Sequence, residues 1–211
     1  MDDLKFLFEP EQVAVIGASA SRGKIGYSIV ENLLENGYKK PIYPINPKAE
    51  KILGLTCHKS IASVGGPVDL AVISVPAKLT PQVVRECGEA KVKGVVIITA
   101  GFKEIGGEGL KLERELQKIG HQYKMRLVGP NCIGLMDTHT KLNASFANGF
   151  PQKGNISFIS QSGAMVIAIL DWSLHAGLGF SRFISLGNKA DLSEIEFIKS
   201  CAVDPNTKVI L

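Results

Sequence analysis

The chain has 211 residues, 45% of them hydrophobic, with 24 Lys and Arg against 20 Asp and Glu for a net charge of +4. That apolar content excludes a disordered chain, the length excludes a small scaffold held by disulfides or metal, and the 22 glycines follow no period of three. So small and scattered a charge excess does not by itself indicate a duplex-binding surface, and it suits a small anionic ligand.

Short β-branched runs alternate with stretches of helical period, the pattern of βαβ units around a parallel sheet. The first strand is expected at 12–16, where a near-continuous apolar run implies burial on both faces. Ile25, Ile29, Leu33 and Leu34 then recur at helical spacing over 25–36, and Asn36-Gly37 closes that helix. A second strand at 41–45 stops before Pro47. Strands at 68–75, 94–99 and 126–128 follow, with helices over 80–90 and through 110–119, the latter after a glycine-rich connection at 101–109.

Near Pro130 the rhythm restarts. An extended segment at 141–147, a strand at 155–160, a helix at 162–176, a strand at 180–186, a helix at 193–201 and an apolar run at 207–211 are expected. The fold expected is α/β: a Rossmann-like domain with a parallel sheet at 1–130, then an incomplete flavodoxin-like α/β domain at 131–211. Both read as doubly wound, the second with two strands and part of a third. Because the last apolar run ends without turn or cap, an N-terminal fragment of a longer protein is expected.

Cys57, Cys87, Cys132 and Cys201 lie far apart, and His58, His121, His139 and His175 are isolated, so no metal site is expected and a reducing compartment is. The N-terminal Met-Asp-Asp-Leu-Lys has no signal-peptide pattern and no apolar run reaches 18 residues. A cytoplasmic protein without membrane or nucleic-acid partners is expected.

Between the first strand and its helix stand Gly17, Ser19, Ala20, Ser21, Arg22 and Gly23. A glycine-rich turn leading into a helix N-terminus exposes backbone N–H groups and the positive end of the helix dipole, which together bind phosphate. The spacing matches neither G-x-G-x-x-G nor a Walker A loop. At the end of the second strand, where an NAD site needs a carboxylate, the chain has Asn46, Pro47 and Lys48. A lysine there suits a ribose carrying an extra phosphate, as in coenzyme A or NADP. Val75 and Pro76, with Ile98, Thr99, Ala100 and Gly101, end the next two strands and converge on the same crevice, where Phe102 is a candidate to stack on a base.

A second anion site is expected where Gln161, Ser162 and Gly163 open a helix, with Ser162 as N-cap. G-x-S-x-G is not met, and no supporting acid or base fits a hydrolase. Asn131, at the domain junction, is placed to hydrogen-bond an acyl group or phosphate. The neighbouring Cys132 has no activating histidine and reads as structural. Residues 187–191 are expected to face the same cleft.

The strings GASASRGKIG, INPK, SVPAK, ITAGFKE, VGPNCIG, NISFISQSGAM, ISLGNKAD and DPNTKVIL, in this order over essentially the whole chain, resemble the ADP-forming acyl-CoA synthetases. Within them the likeness is nearest to the α chains of ADP-forming acetate–CoA ligases, and more distant to that of succinyl-CoA synthetase. The resemblance implies that Ser19, Ala20, Ser21 and Arg22 meet the phosphates of CoA and that Lys48 pairs with one of them. It implies that Val75-Pro76 and Ile98-Thr99-Ala100 border the pantetheine and adenine path, and that Gln161, Ser162 and Gly163 hold phosphate or a phosphohistidine. The implied reaction turns acyl-CoA, ADP and phosphate into a small carboxylic acid, ATP and CoA, through an acyl phosphate and a phosphohistidine. That histidine lies downstream of this segment, which therefore holds no catalytic residue and is expected to be inactive alone. ADP or ATP with Mg²⁺ belongs to a β subunit or domain of ATP-grasp type. An NADP-dependent Rossmann oxidoreductase and a non-catalytic CoA-binding regulatory module remain the alternatives.

Overall fold

A computed structural model describes residues 4–211; the first three residues, on which the expectation of no leader partly rests, lie outside them. A short helix α1 (Lys5–Phe8) leads into β1 (Val13–Ile16), whose four residues are all buried, as its unbroken apolar run requires. α2 (Ile25–Glu35) crosses back, and β2 (Ile42–Ile45) pairs in parallel with β1, Val13 opposite Ile42 and Ile16 opposite Ile45. A small hairpin, β3 (Lys51–Ile52) and β4 (Leu55–Thr56), precedes β5 (Leu70–Ile73), which takes the other edge of β1. α3 (Thr80–Glu89), β6 (Gly94–Ile97), α4 (Gly107–Tyr123) and β7 (Arg126–Val128) complete a parallel sheet of order β2-β1-β5-β6-β7. Strand order reverses between β1 and β5, so the crevice outside their carboxyl ends is the natural ligand seat.

The second sheet is mixed rather than purely parallel. β8 (Gly134–Asp137) and β9 (Leu142–Ser145) form an antiparallel pair. β10 (Gln152–Ser160), α5 (Gly163–Ala176), β11 (Gly179–Ser185), α6 (Glu194–Ala202) and β12 (Val209–Ile210) follow, in the order β12-β10-β11-β8-β9. β10 is parallel to β11 and β12, whereas β8 runs antiparallel to β11. The expected two strands and part of a third are thus the parallel portion, and the antiparallel pair completes the other edge. Four-residue strands carry too short an alternation to announce that direction.

Two other elements differ from expectation. The buried face of α2 is Gly26, Ile29, Val30 and Leu33, while Ile25 and Leu34 are exposed, because Gly26 must face the loop before it. α4 begins at Gly107, inside the run that reads as a connection, since glycine weakens the helical signal.

One apolar core joins the two lobes: Leu7, Phe8, Val13, Ile29 and Leu33 pack with Leu135, Leu142, Ile184, Leu192 and Phe197. Burying such side chains contributes about 1.5–3 kcal/mol each. Asn32 of α2 donates to the carbonyls of Ser145 and Ala147, both at 2.9 Å, which ties the helix behind the phosphate loop to β9. Arg182 of β11 is buried, with Nε 2.9 Å from Asp137 Oδ2, Nη2 3.5 Å from Asp204 Oδ2 and its guanidinium 4.0 Å from the centre of the Phe8 ring. Among the described residues no helix is long and apolar enough to cross a membrane.

Candidate nucleotide and phosphate site

The first site is built by close backbone approach. Gly17 has φ +89°, and a Cβ there would lie 2.8 Å from the Ser74 carbonyl oxygen. The chain ends of β1, β2 and β5 are thereby laced together: Gly17 N–H donates to the Ile45 carbonyl at 3.1 Å and Ser74 N–H to that of Ile16 at 2.9 Å. A Cβ on Gly26 would meet the Gly17 carbonyl oxygen at 2.0 Å, so only glycine lets α2 start against the loop. Sequence reasoning passed over Gly26 as a site residue; its signal is a glycine as the second residue of the helix behind a phosphate-type turn. α2 has no side-chain cap and no acidic residue in its first turn, which leaves its first amides to an external anion.

Ser19 is half-buried and Ala20, Ser21, Arg22 and Gly23 are exposed at the mouth of this turn. Ser21 N–H donates to Ser19 Oγ at 3.0 Å, and the Arg22 guanidinium lies 3.9 Å from Glu31. Asn46 acts as a strut: its Nδ2 donates to the Ala18 carbonyl at 2.8 Å and its Oδ1 accepts the Lys48 N–H at 2.8 Å. Pro47 and Lys48 are exposed beyond it. Thr99 Oγ1 donates to the Val75 carbonyl at 2.6 Å, which pins the turns after β5 and β6 to each other. The structure therefore brings 17–23, 46–48, 75–76 and 98–101 to one sheet edge. Ile98 is buried, so its backbone alone can border a ligand. Phe102 does not stack on a base: it is fully buried in the core between the sheet and α3 and α4.

Asn131 links this edge to the second site. It is exposed, adopts φ 58°, and its N–H donates to the Thr99 carbonyl at 2.9 Å. Ile133 N–H donates to Ser185 Oγ at 2.9 Å, and Leu186 N–H to the Ser160 carbonyl at 2.9 Å, so the ends of β10 and β11 meet the segment after β7. Ile133 also packs against Gly163, where a Cβ would come within 3.2 Å. Ser162 accepts the Met165 N–H at 3.2 Å as the N-cap of α5, and Ser160 Oγ accepts the Ser162 N–H at 3.1 Å. Gln161 is exposed beside them.

Residues 187–191 pack against the turn that carries Asn131, with Gly187 tight on the Pro130 and Asn131 carbonyls. Asn188 is buried, Asp191 holds the Arg126 guanidinium at 2.9 Å and Lys189 pairs with Glu194, so the segment is a contact between lobes. Cys132 is buried and its thiol faces the Ile97 carbonyl at 3.3 Å; burial pushes its pKa up to about 12, as it does that of Cys87. Both thiols should therefore resist a disulfide reagent at neutral pH in the native protein and react on unfolding. Fast native-state labelling of Cys132 would restore it as a candidate nucleophile. His58, His139 and His175 each spend a ring nitrogen on a backbone carbonyl, of Ser63, Gly154 and Asp171 respectively.

Comparison with known proteins gives two family matches: "CoA binding domain" over residues 11–138 and "Succinyl-CoA ligase like flavodoxin domain" over 153–211. The chain is 50% identical to acetate–CoA ligase [ADP-forming] I of Archaeoglobus fulgidus, over 97% of this chain and 30% of that protein. It is 47% identical to the α subunit of acetate–CoA ligase [ADP-forming] II of Pyrococcus furiosus, over 98% of this chain and 45% of that one. The solved apo structure of the dinucleotide-forming acetyl-coenzyme A synthetase 1 of Ca. Korarchaeum cryptofilum matches with TM-score 0.96 and 45% identity, covering 99% of this chain and 45% of that chain. The chain thus spans less than half the length of each of these relatives.

Proposed function

Since the chain belongs to the family of ADP-forming acyl-CoA synthetases, we propose that it is the CoA-binding portion of an acid–thiol ligase. The full protein would convert acyl-CoA, ADP and phosphate to a small carboxylic acid, ATP and CoA. Residues 1–130 form the CoA-binding unit in this reading and residues 131–211 begin the second, in a cytoplasmic enzyme.

The carrying observation is the uncapped start of α2 at the β1/β5 switch point, with Lys48 where a dinucleotide site for NAD has a carboxylate. Ser19, Ala20, Ser21, Arg22 and Gly23 would surround the diphosphate, and the first amides of α2 would complete its hydrogen bonds. Lys48, held out by Asn46 and Pro47, would neutralise the 3′-phosphate. Val75, Pro76 and the backbone from Ile98 to Gly101 would guide the pantetheine arm toward Asn131. There the Asn131 amide would meet the acyl group, and the start of α5, with Gln161, Ser162 and Gly163, would hold phosphate by its dipole and free amides. The phosphate-carrying histidine of the family is assigned to none of the four histidines here. ADP or ATP with Mg²⁺ would be held by a β subunit or domain of ATP-grasp type, and no residue of this chain is assigned to it.

Calorimetry with CoA, dephospho-CoA and NADP tests the reading. Loss of the 3′-phosphate, or Lys48→Ala, should each weaken binding by about tenfold, as expected for one charge-assisted contact at a surface. The two losses should not add. Equal affinity for CoA and dephospho-CoA would remove the role of Lys48, and tighter binding of NADP would favour an oxidoreductase.

A further inference from the structure

The turns that carry Thr99–Gly101 and Asn131 are joined by a polar cluster whose centre, Asn188 and Glu113, is buried and whose rim, Lys103, Glu104 and Asn131, is exposed. At its centre is Asn188, 8% exposed, on the turn after β11. Its Nδ2 donates to Glu104 Oε2 at 2.6 Å and Glu113 Oε2 at 2.8 Å, and its Oδ1 accepts Asn131 Nδ2 at 3.3 Å. Its N–H donates to the Pro130 carbonyl at 2.8 Å, and its own carbonyl accepts from Lys103 Nζ. Glu104 in turn accepts the N–H groups of Gly101 at 2.5 Å and Phe102 at 3.1 Å. Glu113 is buried on α4 and is 3.3 Å from Lys103 Nζ. One side chain therefore grips the carboxylate that shapes the 99–101 turn and, through its other end, the side chain of Asn131.

A neutral amide suits this position. Two carboxylates require donors on one side and the Asn131 amide requires an acceptor on the other; a carboxylate at 188 would add a third like charge, and alanine would release both ends. We propose that Asn188 is a positioning residue of the CoA site, setting the 99–101 turn and Asn131 at the separation at which the CoA thiol and the acyl group meet. The proposal rests on the CoA reading above. The competing role is a plain staple between lobes, and Gln117 supplies the control: its Nε2 donates to the Ala190 carbonyl at 2.8 Å, joining α4 to the same turn without touching Asn131 or Glu104.

The test uses the full-length ligase. Asn188→Ala should lower kcat at saturating CoA and acid by at least about tenfold, the order expected from misplacing a reacting group, while KM for ADP stays within about twofold. Gln117→Ala should leave kcat within about twofold. Asn188→Asp places a carboxyl beside Glu104, Glu113 and Lys103, with Lys189 and Asp191 on its own turn engaged by Glu194 and Arg126. The carboxyl introduced against Glu104 favours its protonated form, which restores a donor, so the activity of this variant relative to wild type should rise at least about fivefold from about pH 8 to about pH 6. Equal kcat losses in Asn188→Ala and Gln117→Ala would overturn the proposal. Should Asn188→Ala fail to fold, a pH-independent loss in Asn188→Asp would overturn it instead. Wild-type enzyme that binds no CoA in calorimetry would remove the CoA reading itself, whereas normal CoA binding with an unaffected Asn188→Ala would remove the role of Asn188 alone.

Discussion

Arg182→Ala is expected to lower the unfolding free energy by about 3–5 kcal/mol, the range for breaking a buried ion group from one side. The Arg182 side chain is 6% exposed, and its partners Asp137 and Asp204 are 4% and 5% exposed. Without the guanidinium, two carboxylates stay buried near each other with only neutral hydroxyl and amide donors: the Thr140 hydroxyl and the N–H groups of His139 and Thr140 for Asp137, and the Thr207 hydroxyl with the N–H and side-chain amide of Asn206 for Asp204. The contact with the Phe8 ring is lost as well, which loosens α1 against the second lobe. Denaturant unfolding measures the effect. Adding Asp137→Asn and Asp204→Asn to Arg182→Ala should recover part of the loss, because the penalty is the uncompensated charge. A shift below about 1 kcal/mol for Arg182→Ala would mean that water already reaches the group.

Gly26→Ala is expected to weaken CoA binding by at least about 100-fold, close to 2.7 kcal/mol. The new methyl would stand 2.0 Å from the Gly17 carbonyl oxygen, a backbone atom that cannot rotate away. Either α2 withdraws from the end of β1 or the phosphate turn opens, and both separate the helix amides from the loop that must share an anion with them. Gly54→Ala, in the β3–β4 hairpin outside the proposed site, is the comparison: nothing lies within 4 Å of a Cβ there, and the strain comes only from φ +83°. That variant should lose about 1 kcal/mol of stability and keep most of its affinity. Unchanged CoA affinity in Gly26→Ala would show that the nucleotide is seated elsewhere.

Much of the first lobe was legible because its strands are buried on both faces. Unbroken apolar runs at 13–16, 70–73 and 95–98, closed by Gly17, Ser74 and Thr99 respectively, announce parallel strands and place their loops at one edge. The loop residues of the candidate site were legible for the same reason, since the switch-point rule needs only strand identity and order along the chain. Phe102 was misread because a neighbour in sequence to a ligand loop need not face the ligand. Phe102 follows Gly101 directly, yet the turn that Glu104 stabilises folds its ring into the core.

The sequence by itself determined the alternation of strand and helix, the anion-ready turn before α2, the second turn before α5 and the lysine in place of a carboxylate, because each depends on local spacing and residue type. Only the tertiary structure decided that β8 runs antiparallel to both β11 and β9, that Gly26 touches Gly17, and that Asn188 joins Glu104 to Asn131 across 84 and 57 positions of chain. Pairing direction, close approach and buried hydrogen bonds depend on which surfaces of distant segments meet, and the burial of a core common to both lobes brings them together.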